Sequence, residues 1–112
     1  MRIAVPVVEG MLNLHFGHCK EFALIDIDSA TNEIVAIQEV VAPKHEPGSF
    51  PLFLAEKGVN LIIAGGMGHR AQGHFENHGI KVICGAPSKA PQELVKEYLE
   101  GVLVAGDNVC DH

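Results

Sequence analysis

The sequence predicts an α/β domain, because short apolar runs typical of buried strands alternate with runs of helical periodicity. Arg2–Val7, Val59–Ala64 and Ile80–Cys84 are apolar runs rich in β-branched residues, and a helical pattern precedes each of the last two. Parallel strands need a long crossover, usually a helix, so these three strands are expected to be parallel. The 112 residues fit one domain, and no internal repeat or linker interrupts them.

The first strand, Arg2–Val7, leads into the loop Val8–Lys20, which is long for a compact domain. Long loops often carry functional residues. Two β-rich runs follow, Phe22–Asp28 and Glu33–Val41, and the polar sequence D-S-A-T-N joins them. This pattern predicts a hairpin that adds two strands at one edge of the sheet, one of them antiparallel to the rest.

The first predicted helix begins near Ser49, which is a suitable N-cap, with Pro51 in its first turn and Gly58 after its end. Its apolar face is formed by Phe50, Phe53 and Leu54.

The second predicted helix, His69–His78, follows the glycine turn Gly65–Gly68 and ends before Gly79. The third, Pro91–Glu100, has proline at its first position and ends at Gly101. The predicted order of elements is therefore β-β-β-α-β-α-β-α.

Composition excludes several classes of function. Apolar residues make up 47% and charged residues 20%, which is typical of a globular protein, and the net charge is −6. Eight scattered Lys and Arg residues do not form a nucleic-acid-binding groove. No apolar run reaches the ~18–20 residues of a membrane span, and the start of the chain lacks signal-peptide features, so we expect a cytoplasmic protein without membrane contact. The three cysteines form no C-x-x-C motif, which argues against a disulfide framework and a structural zinc site.

Histidine and cysteine side chains follow the carboxyl ends of all three parallel strands. In open α/β sheets ligands bind at this edge, so segments distant in sequence should meet there. Imidazole and thiolate are ligands for iron, copper, zinc and iron–sulfur assemblies. The sequence therefore predicts a metal site at this edge, and its candidate ligands are His15, His18, Cys19, His69 and Cys84.

Each candidate also has a simpler interpretation. Cysteine at a strand end is often a small core residue, which applies to Cys84. His18 and Cys19 are neighbours, so both side chains face one way only in an irregular loop. His74 and His78 have a usable metal spacing, but a histidine near a helix C-terminus is also favoured by the helix dipole, and we expect both to be solvated.

Three further residues are weaker candidates. His45 is expected to be solvated. Cys110 and His112, near the C-terminus, could fold back as additional ligands, although terminal residues are more often poorly ordered.

The segment Gly66–Ala71 formally matches G-x-G-x-x-A between a strand and a helix. A dinucleotide site requires an acidic residue ~20 residues later, and Cys84-Gly85-Ala86 occupies that position here. We therefore exclude a dinucleotide. Backbone N–H groups at a helix N-terminus beside Arg70 still predict an anion site, and thiolate-bound metal–sulfur clusters are commonly anionic.

These motifs carry a resemblance to a known family. H-F-G at His15–Gly17, G-G-M-G-H-R-A at Gly65–Ala71 and the pattern F-x-x-x-G-I-K-V at Phe75–Val82 resemble the dinitrogenase iron–molybdenum cofactor-binding family, over Arg2 to Val104. The family includes NifX, NafY, the C-terminal part of NifB, and short stand-alone members such as the orange protein, which carries a molybdenum–copper sulfide cluster. This chain is most similar to the short members.

The resemblance implies an RNase H-like α/β fold with a mixed five-stranded sheet in the order 3-2-1-4-5 and helices on both faces. It implies a cofactor-binding domain over residues 1–104, followed by a tail over 105–112. The residues that it implies for cofactor binding are His15, Phe16, Gly17, Gly65, Gly66, Gly68, His69 and Arg70.

The expected function is therefore to bind or carry a metal–sulfur cluster or its precursor, containing molybdenum with iron or copper, in cofactor assembly, storage or delivery. Expected partners are cluster-assembly or acceptor proteins, and the chain is expected to be a monomer or weak dimer. We expect no enzymatic activity, since the first strand lacks the carboxylates that a Mg²⁺ nuclease needs. The alternatives are a regulatory or interaction module with incidental histidines, or a small Cys/His-dependent enzyme.

Overall fold

A computed structural model describes residues 1–44, 46 and 48–103. Its elements, in chain order, are the strands and helices β1 (Arg2–Val8), β2 (Met11–Leu12), β3 (Glu21–Asp28), β4 (Glu33–Val41), α1 (Ser49–Glu56), β5 (Leu61–Ile63), α2 (His69–Asn77), β6 (Lys81–Ile83) and α3 (Pro91–Glu100). A single 3₁₀ turn, Phe16–His18, lies between β2 and β3. His45, Cys110, His112 and the predicted tail 105–112 lie outside the described residues.

The strands form one mixed sheet in the order β4-β3-β1-β5-β6. β1, β5 and β6 are parallel, and β3 is antiparallel to both β1 and β4, as the sequence predicts. The sheet differs in detail from the prediction because it has a sixth strand, β2, which pairs antiparallel with the end of β1. The predicted loop therefore begins with a two-residue hairpin, in which Glu9 and Gly10 adopt φ of 52° and 77°. Positive φ at both central residues is the geometry that matches strand twist.

The helix boundaries agree with the periodicity except at the start of α1. Gly48, with φ of 80°, is the N-cap, and Ser49 is the first helical residue. The Ser49 hydroxyl accepts a hydrogen bond from the Glu46 N–H (2.9 Å) instead of capping the helix. The predicted cap was therefore one residue late, because this hydroxyl is used by the preceding loop.

Helices cover both faces of the sheet, as predicted. α1 and α2 pack on one face through Phe50, Leu54 and Phe75, and α3 packs on the other through Leu94 and Val95. Alternate residues of β1 and β3 enter the two core clusters, since successive strand side chains point to opposite faces. Each fully buried large apolar side chain contributes roughly 1.5–3 kcal/mol. Within the part of the chain described, no helix is long and apolar enough to cross a membrane.

Candidate functional site

The carboxyl ends of β1, β5 and β6 meet at one edge of the sheet, which we call the rim. A β-bridge places His15, from the loop after β1, beside Gly66 from the turn after β5. The Gly85 N–H, after β6, donates to the Gly65 carbonyl at 2.5 Å. The backbone convergence that the topology predicts is therefore present.

Gly65 is required by the close approach of two of these segments. A Cβ atom at this position would lie 2.8 Å from Leu14 Cδ2 and 3.2 Å from Leu14 Cα. The leucine side-chain end can move, but the backbone atom can move only with the loop. Glycine at this position therefore lets the loop after β1 lie directly against the glycine turn.

The histidines of the rim are exposed. His15 and His18 lie at the two ends of the 3₁₀ turn, with ring centroids 6.3 Å apart in an edge-on arrangement. The His15 N–H donates to Asn13 Oδ1 (2.9 Å) and the His18 N–H to the His15 carbonyl (2.9 Å), which fixes the turn. His69 is exposed at the first position of α2. All three imidazoles are thus accessible to a ligand at the rim.

Cys19 faces the core, not the rim. Its side chain is only 6% exposed, and its Sγ lies 2.8 Å from the Glu21 carbonyl oxygen, to which the thiol donates. Burial raises the pKa of this thiol to about 11. In this conformation the thiol is protonated at neutral pH and does not face the rim, so the role of Cys19 as a thiolate ligand stays a prediction. The cause of this orientation is the 3₁₀ turn, which leaves His18 outside and turns Cys19 inward.

Cys84 is half-buried and packs against the aromatic core cluster on the α1/α2 face. Among residues 1–44, 46 and 48–103, no three His, Cys, Asp or Glu side chains are grouped so as to hold one metal ion. The predicted set of five ligands, His15, His18, Cys19, His69 and Cys84, is therefore not assembled as a chelating group. The backbone segments converge, but Cys19 and Cys84 both pack in or against the core cluster on the α1/α2 face.

One concave feature of this region is a cavity of about 220 Å³, which we call the interhelix cavity. It lies where the 3₁₀ turn meets the beginnings of α1 and α2. Its lining residues are Phe16, Glu46, Gly48, Phe50, Pro51, Arg70, Ala71 and His74. Phe16 and Arg70 were predicted from the sequence, and the residues contributed by α1 and the preceding loop were not.

Two helix N-termini adjoin the interhelix cavity. Gly48 and Phe50 belong to the start of α1, and Arg70 and Ala71 to the first turn of α2. Neither helix has a side-chain cap or an acidic residue in its first turn. A helix N-terminus carries about half a positive charge, so both helices favour an anion here.

The interhelix cavity has an apolar floor and a charged wall. The Phe16 ring packs edge-on against Phe50 and Phe75, with centroids 5.4 and 5.7 Å apart. Arg70 provides a permanent positive charge at the wall. Glu46 also lines the cavity, and the exposed Lys44 ammonium lies 3.8 Å from its carboxylate. The site therefore suits a compact anion with a polarisable surface more than a free cation.

His74 lines the interhelix cavity and is half-buried, so the prediction that it is solvated is wrong. Residues four apart share a helix face, and His74 lies four residues after Arg70. The spacing of Arg70, Ala71 and His74 on one helix face is the sequence signal that could have indicated that His74 lines the cavity. His78 is exposed, as predicted, and its Nδ1 lies 2.9 Å from the His74 carbonyl.

A second depression lies on the other side of the 3₁₀ turn. Its volume is about 480 Å³, and its lining includes Gly17, His18, Cys19, Lys20 and Lys44. The residues predicted to form one site are therefore divided. Phe16 and Arg70 face the interhelix cavity, Gly17 and His18 face this second depression, and His15 and His69 line neither.

Comparison with known proteins gives a consistent result. Residues 1–101 match the sequence model of the family described as "dinitrogenase iron-molybdenum cofactor". An uncharacterized protein of Methanocaldococcus jannaschii is 34% identical over 106 residues, which cover 92% of this chain and 89% of that protein.

Two solved structures have similar folds. The crystal structure of the protein PH0822 superposes with a TM-score of 0.83 at 27% identity, covering 95% of this chain and 96% of the other. The apo form of the orange protein from Desulfovibrio gigas superposes with a TM-score of 0.73 at 25% identity, covering 96% and 93%.

Proposed function

This chain belongs to the dinitrogenase iron-molybdenum cofactor family, and from that premise we propose that it binds a metal–sulfur cluster or cluster precursor as cargo. The cargo contains molybdenum with iron or copper, and the protein acts in cofactor assembly, storage or delivery. Its partners are then the proteins that make the cluster and those that accept it. We also propose that the fold is RNase H-like.

The observation that carries the proposal is the interhelix cavity, where the N-termini of α1 and α2 adjoin Arg70 and His74. Sulfide-rich metal clusters are compact anions, and two helix N-termini without acidic residues in their first turns, together with a guanidinium, form a site for such a group. The phenylalanine floor excludes water on one side, which strengthens these electrostatic interactions.

The mode of binding follows from the cysteine geometry. The Cys19 thiol is hydrogen-bonded inward and burial raises its pKa to about 11, so in this conformation it presents no thiolate at the rim. A cargo that carries its own sulfide ligands needs no protein thiolates and can be held by charge and hydrogen bonds. His15 and His69, exposed at the rim, are proposed as the groups that contact the cluster edge.

Two kinds of catalytic group are missing from the described residues, which favours a carrier function. β1, Arg2–Val8, has no carboxylate for Mg²⁺, and the Cys19 thiol is too basic to be a nucleophile at neutral pH. We propose that the protein is not an enzyme.

The test is reconstitution of the untagged apo protein with tetrathiomolybdate and Cu(I), and separately with tetrathiomolybdate and Fe(II). We expect visible absorption and molybdenum that co-elute with the folded protein in gel filtration. Heat-denatured protein is the control for non-specific capture. Folded protein that stays colourless and free of molybdenum after both treatments would contradict the proposal.

A further inference from the structure

A carboxylate lines the cavity that is proposed to hold an anion. Among the described residues that line the interhelix cavity, Glu46 is the one acidic residue, whereas Arg70 and His74 are basic. The N-termini of α1 and α2 add positive charge beside the same cavity. The charge of Glu46 therefore opposes the attraction that these groups exert on an anion.

The charge of Glu46 is only partly offset by its neighbours. Among residues 1–44, 46 and 48–103, Lys44 forms an ion pair with Glu46 at 3.8 Å, and Arg70 forms none with it across the cavity. The side chains of Lys44 and Glu46 are 87% and 63% exposed, and ion pairs this exposed are weak. The carboxylate therefore keeps most of its effect on an anion in the cavity.

The backbone of Glu46 is held in place by Ser49. The Glu46 N–H donates to Ser49 Oγ (2.9 Å), and the Ser49 N–H donates to the Glu46 carbonyl (3.0 Å). The Ser49 hydroxyl lies 3.0 Å from the Lys44 carbonyl oxygen and 2.9 Å from that of Glu46, so it can donate to either. These bonds place Glu46 beside the cavity without engaging its carboxylate.

We propose that Glu46 controls the release of the anionic cargo, by repelling it and so keeping its affinity low enough for transfer to an acceptor. This role rests on the proposed function, because it concerns the same cavity and describes how the cargo leaves. A carrier that held its anion with the full attraction of two helix N-termini and a guanidinium would release it slowly. A carboxylate at this position weakens that attraction, and its effect lies mainly in the dissociation rate.

The test compares the binding of tetrathiomolybdate, without added copper or iron, to wild type and to Glu46→Gln. Glutamine has nearly the same shape, so the backbone bonds to Ser49 are kept and only the charge is lost. We expect Glu46→Gln to bind about three- to fivefold more tightly, mainly through slower dissociation, since interactions between exposed charges are of this size. Glu46→Asp restores the charge and should lose most of this gain.

Two controls separate local repulsion from other effects. The gain in Glu46→Gln should shrink as the salt concentration rises, because salt screens exposed charges, whereas a change in cavity shape would persist. Glu56→Gln makes the same change in net charge at the exposed last residue of α1, and it should bind as wild type does. An equal gain in the Glu56 variant would overturn the proposal, since net charge alone would then explain it. Circular dichroism should show that all variants are folded.

Inorganic sulfate is the second probe, because it is a compact dianion without metal or sulfide. If wild type binds tetrathiomolybdate and Glu46→Gln binds it no more tightly, the role of Glu46 is overturned while the proposed function stands. If neither protein binds tetrathiomolybdate, alone or with Cu(I) or Fe(II), but Glu46→Gln binds sulfate more tightly than wild type does, the proposed function fails and the repulsion by Glu46 stands. Failure of both proteins to bind either anion would overturn both.

Discussion

The N-termini of α1 and α2 differ from that of α3 in how their charge is balanced. α3 has Glu93 in its first turn, where a carboxylate offsets the positive end of the helix dipole. α1 and α2 have no acidic residue in their first turns, and each is capped by a glycine. The positive ends of α1 and α2 both adjoin the interhelix cavity, whereas that of α3 is balanced by its own sequence.

The two faces of the sheet also differ in the kind of apolar side chain that packs on them. All five phenylalanines contribute to the α1/α2 face, and the α3 face is built mainly from aliphatic residues. Rigid rings pack at fixed centroid distances of 5.2–6.5 Å and form a firm floor for the interhelix cavity. The N-terminus of α3 is thus balanced within its own helix, whereas those of α1 and α2 leave positive charge beside the interhelix cavity.

The largest expected effect is at Arg70, the permanent charge of the interhelix cavity. Arg70→Glu should weaken binding of the reconstituted molybdenum–copper sulfide cluster by at least ~30-fold, or ~2 kcal/mol, because it replaces an attraction by a repulsion. Affinity is measured by competition with a chelator. Lys96→Glu makes the same change in net charge on the exposed side of α3 and should have little effect. Equal losses in both variants would show that only net charge matters.

A smaller effect is expected at His74. This residue lines the interhelix cavity, whereas His78, one turn later at the end of α2, is exposed. His74→Ala should weaken cluster binding about tenfold, or ~1.4 kcal/mol, and His78→Ala, at an exposed position, should not. The same competition assay measures both. Loss of binding only in the His78 variant would move the ligand away from the interhelix cavity.

The smallest effect concerns α3, where the comparison predicts a change of stability without a change of binding. Glu93→Gln should lower the free energy of unfolding by ~0.3–1 kcal/mol, because a carboxylate leaves the N-terminus. Glu100→Gln removes a carboxylate from the other end of the helix and should leave stability unchanged or raise it. Urea denaturation measures both, and a loss of cluster affinity in the Glu93 variant would contradict the division of roles.

The fold was largely predictable because its signals are local. Pro91 and Gly101 bound α3, and the apolar runs give the parallel strands. The strand β2 was missed because a Glu9-Gly10 hairpin lacks the Asn-Gly or Asp-Gly sequence that signals such turns.

For the site, the sequence predicted which backbone segments meet but not where their side chains point. Topology alone brings His15 beside Gly66, but the direction of each side chain depends on the 3₁₀ turn, which the loop sequence does not reveal. Cys19 was therefore assigned outward when it lies inward. The interhelix cavity was missed because half of its lining comes from α1 and the loop before it, which carry no recognisable ligand motif.

The inward orientation of Cys19 has a consequence for chemical compatibility with a sulfide cargo. An exposed thiolate would compete with sulfide for copper and would exchange with oxidised thiols in solution. Cys19 avoids both reactions, because its proton is held toward the Glu21 carbonyl and its sulfur is enclosed by the core. If a sulfide cluster binds in the interhelix cavity as proposed, the buried and protonated Cys19 does not compete for its metal.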